Sequence, residues 1–197
     1  MPAEPKDLLS PNDLLQNEFN YIAQTAFQAN EDRARVTTFY LVNLGGFAAA
    51  LYISQGANST QPELYALFGG LFLIISLTGL LTLLQLIRLR QAWFESIAAM
   101  NQIKDYYSMR FPALKLEQAL RWGKSNPPAL HKPWSISYFL ALQVAVMGGA
   151  SLGAAVFYLG LLAQYSLWLG ALLAGGLYTA GQMVLYWRLL REKKGKG

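Results

Sequence analysis

The sequence predicts an all-α, polytopic integral membrane protein: four transmembrane helices in two in–out–in hairpins, with amphipathic helices on the cytoplasmic side. Three observations carry this. Charged residues make up 14% of the 197-residue chain and hydrophobic ones 54%, whereas a soluble domain carries about 25% charged residues. Residues 133–187 contain no Asp, Glu, Lys, Arg or His, which rules out a water-soluble globular protein. The 16 Lys and Arg residues fall into three segments separated by apolar windows.

The windows set the spans. Charge-free stretches run over 36–62, 64–87 and 133–187. A bilayer core about 30 Å thick takes roughly 20 helical residues, so the first two hold one helix each. The third, as one helix, would run about 80 Å at 1.5 Å per residue and must fold back. Gly160, Gln164, Tyr165 and Ser166 interrupt its Leu/Ala/Val run, so the break is expected at 160–166. The spans are therefore expected near 36–55, 64–87, 136–159 and 167–187.

Basic residues orient the spans. Lys6, Arg33 and Arg35 precede span one. Arg88, Arg90, Lys104, Arg110, Lys115, Arg121, Lys124 and Lys132 lie between spans two and three. Arg188, Arg191, Lys193, Lys194 and Lys196 follow span four. The loops 56–63 and 160–166 hold none. All three basic segments then lie in the cytoplasm, with both ends of the chain. The net charge of +5 and pI near 9.4 follow from this topology, and no nucleic-acid partner is expected. Residues 1–30 have no apolar core of a cleavable signal peptide, so span one is expected to act as the insertion signal. The expected location is the cell (inner) membrane.

Five segments result: a cytoplasmic amphipathic arm (1–35), a transmembrane hairpin (36–87), a cytoplasmic helical segment (88–135), a second hairpin (136–187) and a basic tail (188–197). In the arm, Ser10 and Pro11 mark a helix start. Leu15, Phe19, Ile22, Ala26 and Phe27 then form an apolar stripe. The arm either lies on the membrane surface or packs against the cytoplasmic segment. There, Trp93, Ile97, Met100 and Lys104 continue the helix of span two until Pro112 stops it. A short amphipathic helix is expected over 113–122. Trp93, Trp122, Trp134 and Trp187 mark the inner boundary, and Trp168, Tyr65, Tyr158 and Tyr165 the outer one.

The candidate sites are sparse. The chain has no Cys and a single His, His131, which excludes disulfides, thiolate metal sites and multi-histidine metal ligation within one chain. No ionisable acid, base or His lies within the expected spans, which argues against proton or ion coupling through a buried carboxylate. No catalytic residue, metal or cofactor is expected. Ser151 follows Gly148-Gly149-Ala150, but no base is available beside it, and it reads as a packing residue. Asn43, Gln85 and Gln182 are candidates for a polar path, with Glu63 at its outer mouth. Gly45, Gly46, Gly149, Gly153 and Gly176 belong to small-residue pairs at four-residue spacing, which permit close helix packing. Arg188, Arg191, Lys193, Lys194 and Lys196 are candidates for holding anionic lipid at the cytoplasmic face.

The entry into span one reads Ala29-Asn30-Glu31-Asp32-Arg33-Ala34-Arg35-Val36-Thr37-Thr38-Phe39-Tyr40-Leu41-Val42-Asn43. It resembles the start of the SLATT-type and RipA-like small bacterial membrane proteins. There, a cytoplasmic helix ending in Arg residues leads into an aromatic pair, Leu and Asn that open a two-helix hairpin, and a basic amphipathic helix follows. The resemblance covers residues 15–110; the second hairpin has no counterpart in the two-span plan. It implies a bacterial inner-membrane homo-oligomer that forms a pore. The residues themselves leave open a structural or accessory subunit anchoring a cytoplasmic or membrane partner, and an uncoupled small-solute carrier.

A chain without cysteine lets single cysteines report topology. A cysteine at Ser59 is expected to react with impermeant thiol reagents on intact cells, and one at Ser125 only after lysis. Equal labelling of the two would exclude the four-span arrangement with both ends inside.

Overall fold

The structure is a computed structural model that describes residues 11–55, 62–114, 129–130 and 132–191. Among these are four α-helices: α1 (Pro11–Gln55), α2 (Pro62–Arg110), α3 (Ile136–Leu162) and α4 (Trp168–Leu190), with a 3-10 turn at Pro112–Leu114. Beyond that turn, the rest of the helix expected over 113–122 lies outside the described residues. So do Ser59, Ser125, His131, Lys193, Lys194 and Lys196. The chain divides into two compact units. Unit 1 combines Met1–Glu31 with Gln91–Ala129, and unit 2 combines Asp32–Arg90 with Leu130–Gly197. α1 and α2 each contribute to both.

In unit 1 the arm packs against the continuation of α2. Ile22 and Ala26 of α1 are buried with Ile97 and Met100 of α2, and Phe19, Ala23, Trp93 and Ile103 pack around them. The four-residue steps Ile22–Ala26 and Trp93–Ile97 keep these side chains on facing stripes. Of the expected stripe, Phe27 is the exception and is exposed. The α2 helix ends at Arg110, two residues before Pro112. The Pro112 ring lacks the N–H that a further turn would need.

Unit 2 is built from the remaining parts of α1 and α2 together with α3 and α4. Its core joins Tyr40, Ile75, Leu83, Leu86, Ile87, Ala141, Val144, Tyr186 and Leu190. Along α4 the enclosed residues are Ala171, Gly175, Gln182, Tyr186 and Leu190. The opposite face carries exposed Leu169, Leu172, Leu173 and Leu177, the last 73% accessible. Apolar surface of that extent is unfavourable in water at about 25 cal/mol per Å². A helix apolar on all sides belongs in a hydrocarbon solvent. Three helices, α2, α3 and α4, are long and apolar enough to cross a membrane.

The α3–α4 turn has a defined geometry. The Tyr165 N–H donates to the Gly160 carbonyl at 2.9 Å and the Gln164 N–H to the Leu161 carbonyl at 3.0 Å. This is the paired C-terminal cap in which one residue takes a left-handed conformation. Gln164 takes it, with φ 61°. At its other end α3 is capped by the Ser135 hydroxyl, which accepts from the Tyr138 N–H at 3.3 Å. With its last residue at Leu162, the helix runs three residues into the expected break. Gly160 is a buried helical residue, 3.1 Å from the Leu167 side chain when given a Cβ.

α3 and α4 meet backbone to backbone. A Cβ on Gly149 would lie 2.5 Å from the Gly175 carbonyl oxygen, and one on Gly153 would lie 2.8 Å from the Ala171 carbonyl oxygen. A Cβ on Gly175 would stand 2.7 Å from the Gly149 carbonyl oxygen. The α4 glycine at this crossing is Gly175; its neighbour Gly176, like Gly45 and Gly46, has nothing within 4 Å of an added Cβ. The Thr179 hydroxyl, 3.2 Å from the Ala145 carbonyl and 2.9 Å from that of Gly175, bonds the pair across.

Gly153→Leu is expected to lower the thermal midpoint in detergent by the equivalent of about 1–3 kcal/mol, the scale of overpacking. Gly176→Leu, on open surface, is expected to leave it nearly unchanged. Equal midpoints for the two variants would contradict the crossing.

Candidate functional site

The residues expected to form a polar path do not share one surface within the chain. Asn43 is exposed on α1, and its Nδ2 donates to the Phe39 carbonyl one turn back at 2.8 Å. Gln85 is exposed on α2, and Glu63 is exposed in the first turn of that helix. Gln182 is instead enclosed, with 3% of its surface accessible. Arg188 and Arg191 of the tail are exposed.

What unit 2 gathers instead is a buried polar node, to which all four helices contribute. Tyr40 of α1 is 1% exposed, and its hydroxyl lies over Gly79 of α2, 2.7 Å from the position of a Cβ there. The same Cβ would lie 3.3 Å from Cα of Gly148 on α3. Across Gly148 stands Gln182 of α4, whose Nε2 would be 3.2 Å from a Gly148 Cβ. Tyr178, one turn before Gln182, donates its hydroxyl to the Ser76 carbonyl of α2 at 3.1 Å. Ser151 is buried beside Tyr40, but its hydroxyl turns back to the Met147 carbonyl at 2.8 Å.

The node is incompletely bonded. The Tyr40 hydroxyl and both the Nε2 and Oε1 atoms of Gln182 are buried without a hydrogen-bond partner among the described residues. Each such group forgoes hydration, a cost of about 1–3 kcal/mol. Their chemistry is that of neutral donors and acceptors. The node carries no charge and offers no general base or nucleophile pair.

A second constellation lies where α1, α2 and the start of α3 meet within unit 2. Arg33 and Arg90 are 7% and 9% exposed. Arg33 Nη1 donates to the Ser137 hydroxyl in the first turn of α3, and Arg90 Nε donates to the Leu130 carbonyl at 3.1 Å. Burial holds both guanidiniums below the usual arginine range, and Arg90 presses Arg33 further down. Arg35, two residues on, is exposed and 3.7 Å from Asp32.

Among the described residues, no three His, Cys, Asp or Glu side chains come together as a metal site. No family model, curated protein or solved structure matches the chain.

Sequence reasoning did not single out Tyr40, Tyr178 or Gly79 as site residues, and used Arg33 and Arg90 only as basic residues that orient the spans. One signal was available. Tyr178 and Gln182 are four residues apart, on the α4 stripe that also carries Tyr186. Tyr40 had no such signal, because an apolar span conceals which of its aromatic residues turns inward.

Tyr40→Phe removes a buried hydroxyl that has no hydrogen-bond partner among the described residues, and is expected to leave the thermal midpoint unchanged or raised. Gly79→Ala is expected to lower it, because its Cβ meets that hydroxyl. The loss is expected to shrink when Gly79→Ala is made in the Tyr40→Phe background, as coupled neighbours require. Additive effects would place the Gly79 contact elsewhere.

Proposed function

We propose that the chain is a four-span membrane protein with both ends in the cytoplasm, working without catalysis as a homo-oligomer that forms a pore between its chains. One observation carries this reading: the polar and small residues that could serve a path or an interface stand on the outside of unit 2. Asn43, Gly45 and Gly46 on α1, Gln85 on α2, and Gly176 and Gly181 on α4 are all exposed. The four glycines have open space at their Cβ positions. In a bilayer, an outward amide finds no water and favours a hydrogen bond to another helix. The core of unit 2 is occupied by Tyr40, Leu83, Ile87, Val144 and Leu190, so a conducting axis would lie between copies. The resemblance to SLATT-type proteins points the same way, and the span over 36–55 completes the first hairpin.

The second reading is an anchoring or accessory subunit. Its support is unit 1, where Leu15, Gln16, Phe19, Ile103 and Tyr107 line a groove of about 460 Å³. Tyr21 and Phe27 are exposed on the arm beside it in sequence. A partner helix with an apolar face suits such a surface.

Conductance in planar bilayers separates the two. A pore with Glu63 at its outer mouth selects cations, since a ring of carboxylates concentrates them. Glu63→Gln is then expected to lower cation-over-anion selectivity, and Glu63→Lys to reverse it, with particle mass in detergent unchanged. A monomeric particle, or silence across voltage, would overturn the pore and leave the anchoring reading.

A further inference from the structure

We propose that α1 meets α1 of a second copy of this chain, side by side, with Asn43 bonded to its counterpart and the two backbones close at Gly46. This contact deepens the homo-oligomer part of the reading above and rests on α1 being a span; it does not rest on conduction. The inner face of α1 is taken by Tyr40, Leu44 and Phe47, which belong to the core of unit 2 or pack against it. The outer face holds Phe39, Val42, Asn43, Gly46 and Ala49, all exposed. At 100° per residue these five lie within about 60° of Gly46, in one stripe about 15 Å long. From Asn43 onward its residues are small.

Asn43 identifies the occupant. Its Nδ2 donates to the Phe39 carbonyl one turn back, and its second N–H and its Oδ1 have no partner among the described residues. Asn43 lies about 12 Å along the helix from exposed Arg35, so on the four-span reading its amide faces hydrocarbon. There an unpaired amide forgoes hydration, and another helix supplies the bond. An amide both donates and accepts, so two copies of one asparagine complement each other. Copies inserted with the same topology have parallel α1 helices, and a two-fold axis along the membrane normal brings each residue of the stripe to its own counterpart. Gly46 has nothing within 4 Å of an added Cβ, which lets the backbones approach one turn from Asn43. The other outward faces lack this pairing. Gln143 of α3 is also exposed, but Val146 stands three residues on, where α1 has Gly46. Gln85 of α2 stands three residues from exposed Arg88, near the headgroups. On α4, Gly176 is set among exposed Leu172, Leu173 and Leu177, side chains as large and apolar as lipid tails require.

The test uses the full chain in liposomes, where the absence of native cysteine makes single cysteines specific. Under copper phenanthroline, Gly46→Cys and Ala49→Cys are expected to form disulfide-linked dimers at least about tenfold faster than Leu77→Cys, Val146→Cys and Leu172→Cys, since the bond needs Cα atoms about 4.4–6.8 Å apart. Energy transfer between labelled chains reads the dimer itself. Asn43→Leu is expected to raise its dissociation constant about three- to tenfold, the scale of interhelical hydrogen bonds, and Asn43→Gln and Gln143→Leu less than about twofold. The cysteine variants keep Asn43, so they test the face even where Asn43→Leu fails to fold. Equal rates at all five positions, faster links at the control positions, or no dimer in wild type overturn the contact. So does Asn43→Leu that loses conductance with energy transfer unchanged, which places Asn43 on a water path. So does a Gly46→Cys chain that links, in native membranes, only to a different protein. A dimer that links at Gly46→Cys yet stays electrically silent keeps this contact and overturns the pore; conductance without the link does the reverse.

Discussion

The close approach of α3 and α4 is the constraint on which unit 2 depends. Gly149, Gly153 and Gly175 leave each carbonyl oxygen within 2.5–2.8 Å of where a side chain would begin. Helices in contact at that range have no room for even one methyl group, and their attraction is dispersion plus the Thr179 bond. Apolar burial adds little to association in a hydrocarbon solvent, because lipid tails are as apolar as leucine. Contact at backbone range is what remains. It also fixes the rotation of α4, turning Gln182, Tyr186 and Leu190 inward and Leu172, Leu173 and Leu177 outward.

That rotation explains the polar node. Once Gly175 faces Gly149, Gln182 is carried two turns further along the same stripe and arrives beside Gly148. Tyr40 and Gly79 close over the other side. The result is a neutral set of donors and acceptors from four helices, some of them without partners among the described residues. Buried polar groups of this kind specify a particular alignment of helices at a cost in stability. Below the node along α4, Tyr186 joins the core near which Arg33 and Arg90 are enclosed.

The charges have two different fates. Arg35 and Arg88 remain at the surface. Arg33 and Arg90 point inward and are shielded from water. On a continuous helix, residues 33 and 35 lie about 200° apart at 100° per residue. One therefore faces the core when the other faces out. Nearly opposite faces, rather than composition, make the distinction.

The sequence by itself determined the all-helical class, the long apolar helices, the stop at Pro112 and the fold-back between α3 and α4. These depend on composition, periodicity and local turn chemistry, which are properties of short stretches. It also identified Gly149 and Gly153 as packing residues, but small residues at this spacing occur on several faces. Only the tertiary structure decided that Gly175 meets them while Gly45, Gly46 and Gly176 face open space. Only it decided that Gln182 is enclosed while Asn43 and Gln85 are exposed. A helix apolar on all sides has no polar face to show which way it turns. Its rotation is set by the partner helix, and that information is not local to the chain.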